Sequence, residues 1–292
     1  MLRANASGTS EALVLLERAA ARLASAGIET SQLDAQVLLA EAAHVNRAAL
    51  LAGSIKMTSE ITARFERFIA RRVAREPVAY IVGRREFYSL EFSVTPDVLI
   101  PRPQTETVVD AALDFIAGRP RARVLDIGTG SGAIAIAVAA NAPQASVVAT
   151  DISPPALAVA RRNAARNRVA EGIRFVRGDI FQPTDDAPAL GTFDLVISNP
   201  PYIVDAEVAG LERDVRDFEP HLALRGGPDG VDFFRRIARD AGRHLADDGL
   251  LVLEVGAGQD IAVAEILDKA GLHPVRVIND LDGIARVVTA RR

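Results

Sequence analysis

From residue 121 onward the chain alternates short apolar runs with helix-patterned stretches, and each of the first four runs leads into a polar residue. The runs 122–127, 146–151, 173–178 and 193–198 read as strands, with helices at 131–141 and 154–167 between them. Three more strands fit 249–255, 274–279 and 284–290, and two later helices fit 229–246 and 259–270. Strands that are apolar along their length are buried on both faces, and strand–helix alternation makes neighbouring strands parallel. The pattern therefore predicts an open α/β sheet, mostly parallel and covered by helices on both faces. Sheets of this kind bind ligands beyond the carboxyl ends of their strands. Chemistry is therefore sought in the polar residues at those ends.

The first strand runs straight into Asp126-Ile127-Gly128-Thr129-Gly130-Ser131-Gly132. Glycines let the backbone turn tightly and let a ligand approach it closely. The spacing is Gly-x-Gly-x-Gly, which differs from the Gly-x-Gly-x-x-Gly that seats a pyrophosphate on a helix N-terminus. Asp126 just before the glycines would repel a pyrophosphate and attract a cation, such as the sulfonium and ammonium of S-adenosyl-L-methionine. Asp151 ends the second strand, where a carboxylate can accept from both hydroxyls of a ribose. Asp179 ends the third, where an acceptor can meet an adenine amine while Ile180 and Phe181 cover the ring. A plain glycine turn with helix-capping aspartates accounts for the loop alone. It accounts poorly for acids on three successive strand ends.

The fourth strand delivers Asn199-Pro200-Pro201-Tyr202 to the same edge. Proline lacks an N–H and fixes φ, so two in a row push the backbone out of the ladder. The Pro200 carbonyl then stands free beside the Asn199 amide, and the two acceptors suit the two hydrogens of a planar –NH2 group. An amide nitrogen is a poor nucleophile because its lone pair is delocalised. Accepting both its hydrogens raises electron density on nitrogen and aims the lone pair at a methyl donor, so positioned acceptors supply the catalysis. Asn199 belongs to both the cofactor and the substrate residues. Tyr202 either stacks on the planar group or anchors the loop. The tetrad does not distinguish an adenine amine from a glutamine amide.

Composition removes several alternatives. The chain has no cysteine, which excludes disulfides, thiolate catalysis and cysteine-bound metals and fits a reducing cytoplasm. Its four histidines lie far apart with no metal-ligand spacing, so no metal is expected. The longest apolar run, 133–140, is too short to span a bilayer. A net charge of −4 without a basic groove or added recognition region argues against a nucleic-acid substrate.

Upstream, residues 10–76 read as helices. Leu13, Leu16, Ala20 and Leu23 space the first, and Ser31 with Asp34 resembles a capping box opening the second through Leu33, Val37 and Leu38. A turn of helix at 47–51 and a helix opening at Thr58 or Ser59, with Ile61, Phe65, Phe68, Ile69 and Val73 on one face, complete a small bundle that Pro77 closes. Residues 84–99 change to a hairpin pattern, and the stiff Ile100-Pro101-Arg102-Pro103-Gln104-Thr105-Glu106 opens a helix to about 117. The expected division is a helical substrate-recognition domain at 1–80, a linking β-hairpin at 81–100 and a catalytic domain at 101–292.

The chain resembles the bacterial release-factor glutamine methyltransferases, the HemK/PrmC family, over nearly its whole length. Arg85-Glu86-Phe87-Tyr88-Ser89-Leu90, Leu99 to Glu106, Asp126 to Gly132, Ser198 to Ile203 and Glu219-Pro220-His221-Leu222-Ala223-Leu224 carry the resemblance. It implies a seven-stranded Rossmann-like class I methyltransferase sheet with an antiparallel last strand. It implies S-adenosyl-L-methionine as cofactor, S-adenosyl-L-homocysteine as product, and the glutamine of the Gly-Gly-Gln loop in class I peptide chain release factors as substrate. Gly128 to Gly132, Asp151 and the 179–181 turn would bind the cofactor, and Asn199 to Tyr202 the glutamine. Some relatives carry an aromatic residue where Ile180 stands, and isoleucine covers an adenine without stacking on it. A monomer is expected. The rivals are methylation of a ribosomal-protein glutamine or an adenine amine, and a non-catalytic binding protein.

Three segments keep two readings each. Arg64, Arg67, Arg71, Arg72, Arg75, Arg84 and Arg85 form either a docking face for an acidic partner or a solvated surface. Residues 203–228, with a short amphipathic helix suggested by Val208, Leu211, Val215 and Phe218, form a lid or a connector. Phe87 and Ile100 either line the glutamine channel or do not. Gly226-Gly227-Pro228-Asp229-Gly230 reads as a cap for the following helix.

Overall fold

The apolar runs after residue 121 pair in register so that their carboxyl ends reach one edge. This computed structural model describes residues 5–53, 55–184 and 188–292, with the side chains of 5–10 outside the description. By its contacts the chain divides into two compact units. The first is the chain up to Gly83 with Arg213–Phe218, and the second is Arg84–Glu212 with Glu219–Arg292.

The first unit is helical: α1 (Asn5–Ser25), α2 (Ser31–Ala42), α3 (Arg47–Leu51), α4 (Ser59–Val73) and α5 (Val78–Val82). The later segment adds α9 (Arg213–Arg216). Leu23, Leu38, Leu39, Phe65 and Ile69 form its core. Asn46 and Thr58 cap α3 and α4, accepting from Ala49 N at 2.8 Å and Ile61 N at 3.2 Å.

The capping box expected at Ser31 and Asp34 is absent. The α2 cap position is Thr30, with no side-chain cap bond. Asp34 is buried and accepts instead from Arg72 Nε at 2.7 Å. A buried carboxylate is held by the nearest buried cation, so a partner 38 residues away overrides the local signal. Leu13 and Leu33 are likewise exposed, and Ala12, Ala19 and Ala35 take the buried positions. The α5 turn after Pro77 was not anticipated.

Arg72 also pairs with Asp214 at 2.6 Å, and Arg75 joins it through Nε at 2.6 Å. Arg71 is held by Glu76, and Arg64 contacts Glu60 and His44. Arg72 and Arg75 are therefore joints inside the unit, whereas Arg67 and Arg71 stay on its surface. Removing one member of a buried ion cluster strands the others without compensation. Arg72→Ala is expected to destabilise the protein by about 3–5 kcal/mol in urea unfolding. A loss below about 1 kcal/mol would mean the cluster is ornamental.

The second unit opens with the hairpin β1 (Arg84–Phe87) and β2 (Leu90–Ser93). A single 3-10 turn, Pro103–Thr105, then leads into α6 (Glu106–Ile116). The sheet contains β3 (Arg123–Ile127), β4 (Ser146–Asp151), β5 (Ile173–Asp179), β6 (Gln182–Pro183), β7 (Phe193–Ser198), β8 (Leu245–Glu254), β9 (His273–Asn279) and β10 (Ala285–Arg291). Their order is β6-β5-β4-β3-β7-β8-β10-β9. Strands β5, β4, β3, β7 and β8 run parallel, and β10 is antiparallel to both neighbours. This is the implied seven-stranded sheet with an antiparallel last strand, and the two-residue β6 is added at one edge.

Helices α7 (Ala133–Asn141), α8 (Pro154–Arg166), α10 (Asp232–His244) and α11 (Asp260–Lys269) connect the strands. Two apolar clusters pack on the sheet, one around α6 and α7, the other around α10 and α11. Register places Ile127 beside both Thr150 and Ser198, and Ser198 beside Leu253. The strand ends read from sequence thus converge.

Candidate functional site

A cavity of about 1140 Å³, counting its open mouth, lies at the carboxyl ends of β3, β4, β5 and β7. Gly128, Thr129, Gly130, Ser131, Asp151, Asp179, Ile180, Asn199, Pro200 and Pro201 all line it. Asp126, Gly132 and Tyr202, also expected at the site, stand behind its walls.

The glycine loop is stitched from below. Thr129 N donates to Thr150 O at 2.9 Å, and Ser198 Oγ donates to Ile127 O at 2.8 Å. Gly128, Gly130 and Gly132 have φ of 70°, 55° and 84°, in the left-handed region that side chains disfavour. A Cβ built on Gly128 would meet nothing within 4 Å, so the loop presents bare backbone. On Gly132 it would meet Ile136 Cδ1 at 2.8 Å, so that glycine serves helix packing. The buried Asn163 side chain accepts from Ser93 N and donates to Ser131 O at 2.9 Å, tying the hairpin to this loop.

Asp126 lies under the loop, 1% exposed. Its Oδ2 accepts from Thr129 Oγ1 at 2.6 Å and from Ala135 N at 3.3 Å, while Oδ1 is buried without a partner. Burial pushes its pKa up to about 7. Asp151 accepts from Gly130 N at 2.8 Å and Ser153 N at 2.9 Å. Burial raises its pKa, and those N–H donors oppose the rise. Asp179 receives Arg236 Nη2 at 2.6 Å. Ile180 takes φ 56° and forms the wall beside it. Phe181 does not cover the cavity. It stacks on His244 with ring centroids 4.5 Å apart, because the left-handed turn at Ile180 sends the next side chain to the other face.

The tetrad follows β7. Asn199 Nδ2 donates to Thr105 Oγ1 at 3.2 Å, and both side chains lie close enough to the buried Glu254 carboxyl to oppose the rise that burial gives its pKa. One amide hydrogen is thereby engaged, and Asn199 Oδ1 accepts from no described residue. Among the described residues nothing donates to the Pro200 carbonyl. Tyr202 packs against the α10–α11 cluster. Gln259 Nε2 donates to its carbonyl at 3.0 Å. A Cβ on Gly226 would lie 2.7 Å from Tyr202 Cα, one on Gly230 2.6 Å from Tyr202 O, and one on Gly256 3.1 Å from its ring. Tyr202 is therefore placed as an anchor, and the Gly226–Gly230 stretch wraps it more than it caps α10.

One wall comes from the stiff segment. Ile100 N donates to Glu219 Oε2 at 3.1 Å, and Arg102 Nη2 donates to Glu219 Oε1 at 2.5 Å. The 97–102 segment and the 219–223 turn are thus clasped together, with Val98, Leu99, Pro101, Leu222 and Ala223 toward the cavity. Phe87 and Ile100 are buried in the core and do not line it. Residues 203–228 form a 3-10 turn at Val208–Gly210 and the four-residue α9, not the one amphipathic helix expected. Thr105, Asn163, Glu219, Glu254 and Gln259 were missed. Glu254 carried a signal, being the acid that ends the fifth parallel strand.

Two family models match the chain, one described as PrmC N-terminal domain over residues 14–83 and one as Methyltransferase small domain over 109–215. The Release factor glutamine methyltransferase of Cereibacter sphaeroides is 47% identical over 277 residues, covering 94% of this chain and 96% of that protein. The protein of the same name from Nitratidesulfovibrio vulgaris is 40% identical over 293 residues, covering 99% and 98%. The hMettl16 catalytic domain, solved in complex with the MAT2A 3'UTR hairpin 6, has a TM-score of 0.56 at 19% identity. It covers 77% of this chain and 81% of that one, a likeness of fold alone.

Proposed function

This chain belongs to the release factor glutamine methyltransferase family, and from that premise we propose that it methylates the side-chain nitrogen (N5) of the Gly-Gly-Gln glutamine in class I release factors. The cofactor is S-adenosyl-L-methionine. The observation that carries the reading is the oriented Asn199 amide, whose Nδ2 is turned to Thr105, which leaves Oδ1 as its accepting end. Asn199 and Pro200 line the same cavity as Gly128, Thr129, Gly130 and Ser131.

The residues fit the cofactor. The open face of Gly128 leaves room for a close ligand, Asp151 lines the wall where a ribose would sit, and the orphaned Asp126 Oδ1 favours a cation above it. Gly130, Thr129 and Ser131 give backbone for the amino-acid end. The free oxygen of Asp179 and the side chain of Ile180 bound the adenine. When bound, the cofactor supplies a methyl carbon made electrophilic by its sulfonium. Asn199 Oδ1 and Pro200 O each accept one amide hydrogen of the glutamine, so its lone pair points across the cavity. Held so, the nitrogen would be aimed at the methyl that the cofactor supplies, and the proton left over after transfer would pass to solvent.

The lining also suits a protein substrate. Asp97, Asp151 and Asp179 face the cavity, and Arg102 is already neutralised by Glu219. A polyanion would meet Asp97 and Asp151 there, while Asp179 is already paired with Arg236. Residues 1–80 are proposed to recognise the body of the release factor.

The test is incubation with methyl-labelled cofactor and intact release factor, ribosomal protein or DNA. Label is expected in the release factor alone, and none when its Gly-Gly-Gln glutamine is replaced by Ala. Label entering only DNA or only a ribosomal protein would overturn the reading.

A further inference from the structure

Glu254 ends β8 and is 2% exposed, yet it neither lines the cavity nor joins the core. Sheet register puts it next to the tetrad, because Ser198 pairs with Leu253. Its Oε2 has no hydrogen-bond partner. The groups that approach the carboxyl are the Thr105 hydroxyl, 4% exposed, and the Asn199 amide. Arg102 and Arg286 exert attraction from further away, and each already has its own carboxylate, Glu219 and Asp280. The Tyr202 hydroxyl also lies within its field.

A side-chain amide can sit either way round, and only its partners fix which end points where. An ionised carboxylate accepts and never donates. Asn199 Nδ2 donates to Thr105 Oγ1 at 3.2 Å, so the hydroxyl proton is free to turn elsewhere, and an ionised Glu254 would draw it toward the carboxylate. Both hydrogens of Asn199 then point inward and Oδ1 points out. Withdrawing hydrogen-bond density from Nδ2 also makes Oδ1 a stronger acceptor, since hydrogen bonds in a chain polarise one another.

We propose that Glu254 is a positioning residue for methyl transfer, which acts through Thr105 and the Asn199 amide to hold and polarise the acceptor oxygen that grips the substrate –NH2. The inference rests on the functional reading above. Protonated Glu254 would instead donate to Thr105 Oγ1, compete with Nδ2 for that oxygen and so loosen the hold on the amide. Burial pushes the Glu254 pKa up to about 7, so this loss falls within the working range.

The experiment compares wild type, Glu254→Gln and Thr105→Val between pH 6 and 9. Turnover on release factor is measured with cofactor affinity by calorimetry and the Asn199 side-chain NH2 signal by 15N NMR. Glu254→Gln keeps the volume and removes a buried charge, so the fold is expected to persist. Wild-type kcat should fall on the acid side near pH 7, with the Asn199 NH2 signal shifting over the same range. Glu254→Gln should lower kcat roughly tenfold to a hundredfold, leave cofactor affinity unchanged and abolish both the acid limb and the NMR shift. Thr105→Val should lower kcat and displace the same signal. The inference is overturned by a Glu254→Gln enzyme with wild-type kcat, or by an Asn199 signal that ignores both substitutions. Wild type that transfers no methyl to release factor while its Asn199 signal titrates would sink the functional reading and leave the positioning intact.

Discussion

Asn199→Ala is expected to bind S-adenosyl-L-methionine nearly as well as wild type and to transfer methyl roughly a hundredfold to a thousandfold more slowly. The size follows from what the side chain does. It places one of two acceptors that raise the reactivity of an otherwise poor nucleophile, and nothing else in the cavity wall replaces it. Pro200 keeps its carbonyl, so one amide hydrogen is still held and the residual rate stays above zero. Asn199→Asp separates position from charge. It preserves an acceptor but faces Glu254 with a second carboxylate and gives up the bond to Thr105 at 3.2 Å. Its activity should recover as pH falls and one of the two acids protonates. Single-turnover kinetics with saturating cofactor check both variants. An Asn199→Ala enzyme with wild-type turnover would remove the amide from the mechanism.

Local signals carried most of the fold. The strands read at 146–151 and 193–198 stand at those residues, because apolar runs closed by a polar residue leave little choice of pairing edge. β8 starts earlier than read, at Leu245, because that residue pairs with Phe193 across a register shift. The first half of the site was legible for the same reason: Asp151 and Asp179 end their strands, Asp126 stands one residue before the end of β3, and Asn199 directly follows β7. The parts that set geometry were illegible because their partners lie far along the chain. Thr105 meets Asn199 across 94 residues, and Arg102 meets Glu219 across 117. No periodicity encodes such pairs. The resemblance picked out both segments without explaining them, and the clasp between Arg102 and Glu219 gives the physical reason they occur together. The misread capping box is the same effect in reverse, a local pattern outbid by a distant buried charge.

Asp126→Asn is expected to stabilise the ligand-free protein at alkaline pH and to weaken cofactor binding. In the fold the carboxyl is raised from 3.8 to about 7 by burial. A raised acid favours the protonated folded state, so its contribution is full below about pH 4. It is lost as pH climbs through 7. The ionised folded form then costs roughly 4 kcal/mol relative to the protonated one. Asparagine does not titrate, and its Oδ1 can still accept from the Thr129 hydroxyl and Ala135 N. The difference in unfolding free energy between variant and wild type should therefore grow in favour of asparagine from pH 4 to pH 8. Cofactor binding should reverse the preference. A sulfonium and an ammonium above the loop favour the ionised carboxylate, so wild-type binding near pH 6 should expel a proton. Calorimetry in buffers of different ionisation enthalpy would register that proton. Asp126→Asn should bind about tenfold or more weakly at pH 8, a loss of at least 1.4 kcal/mol, and release none. A stability difference that stays flat with pH would show that the carboxylate is not penalised by burial. A variant that binds as tightly as wild type would mean the cofactor's positive charge is met elsewhere.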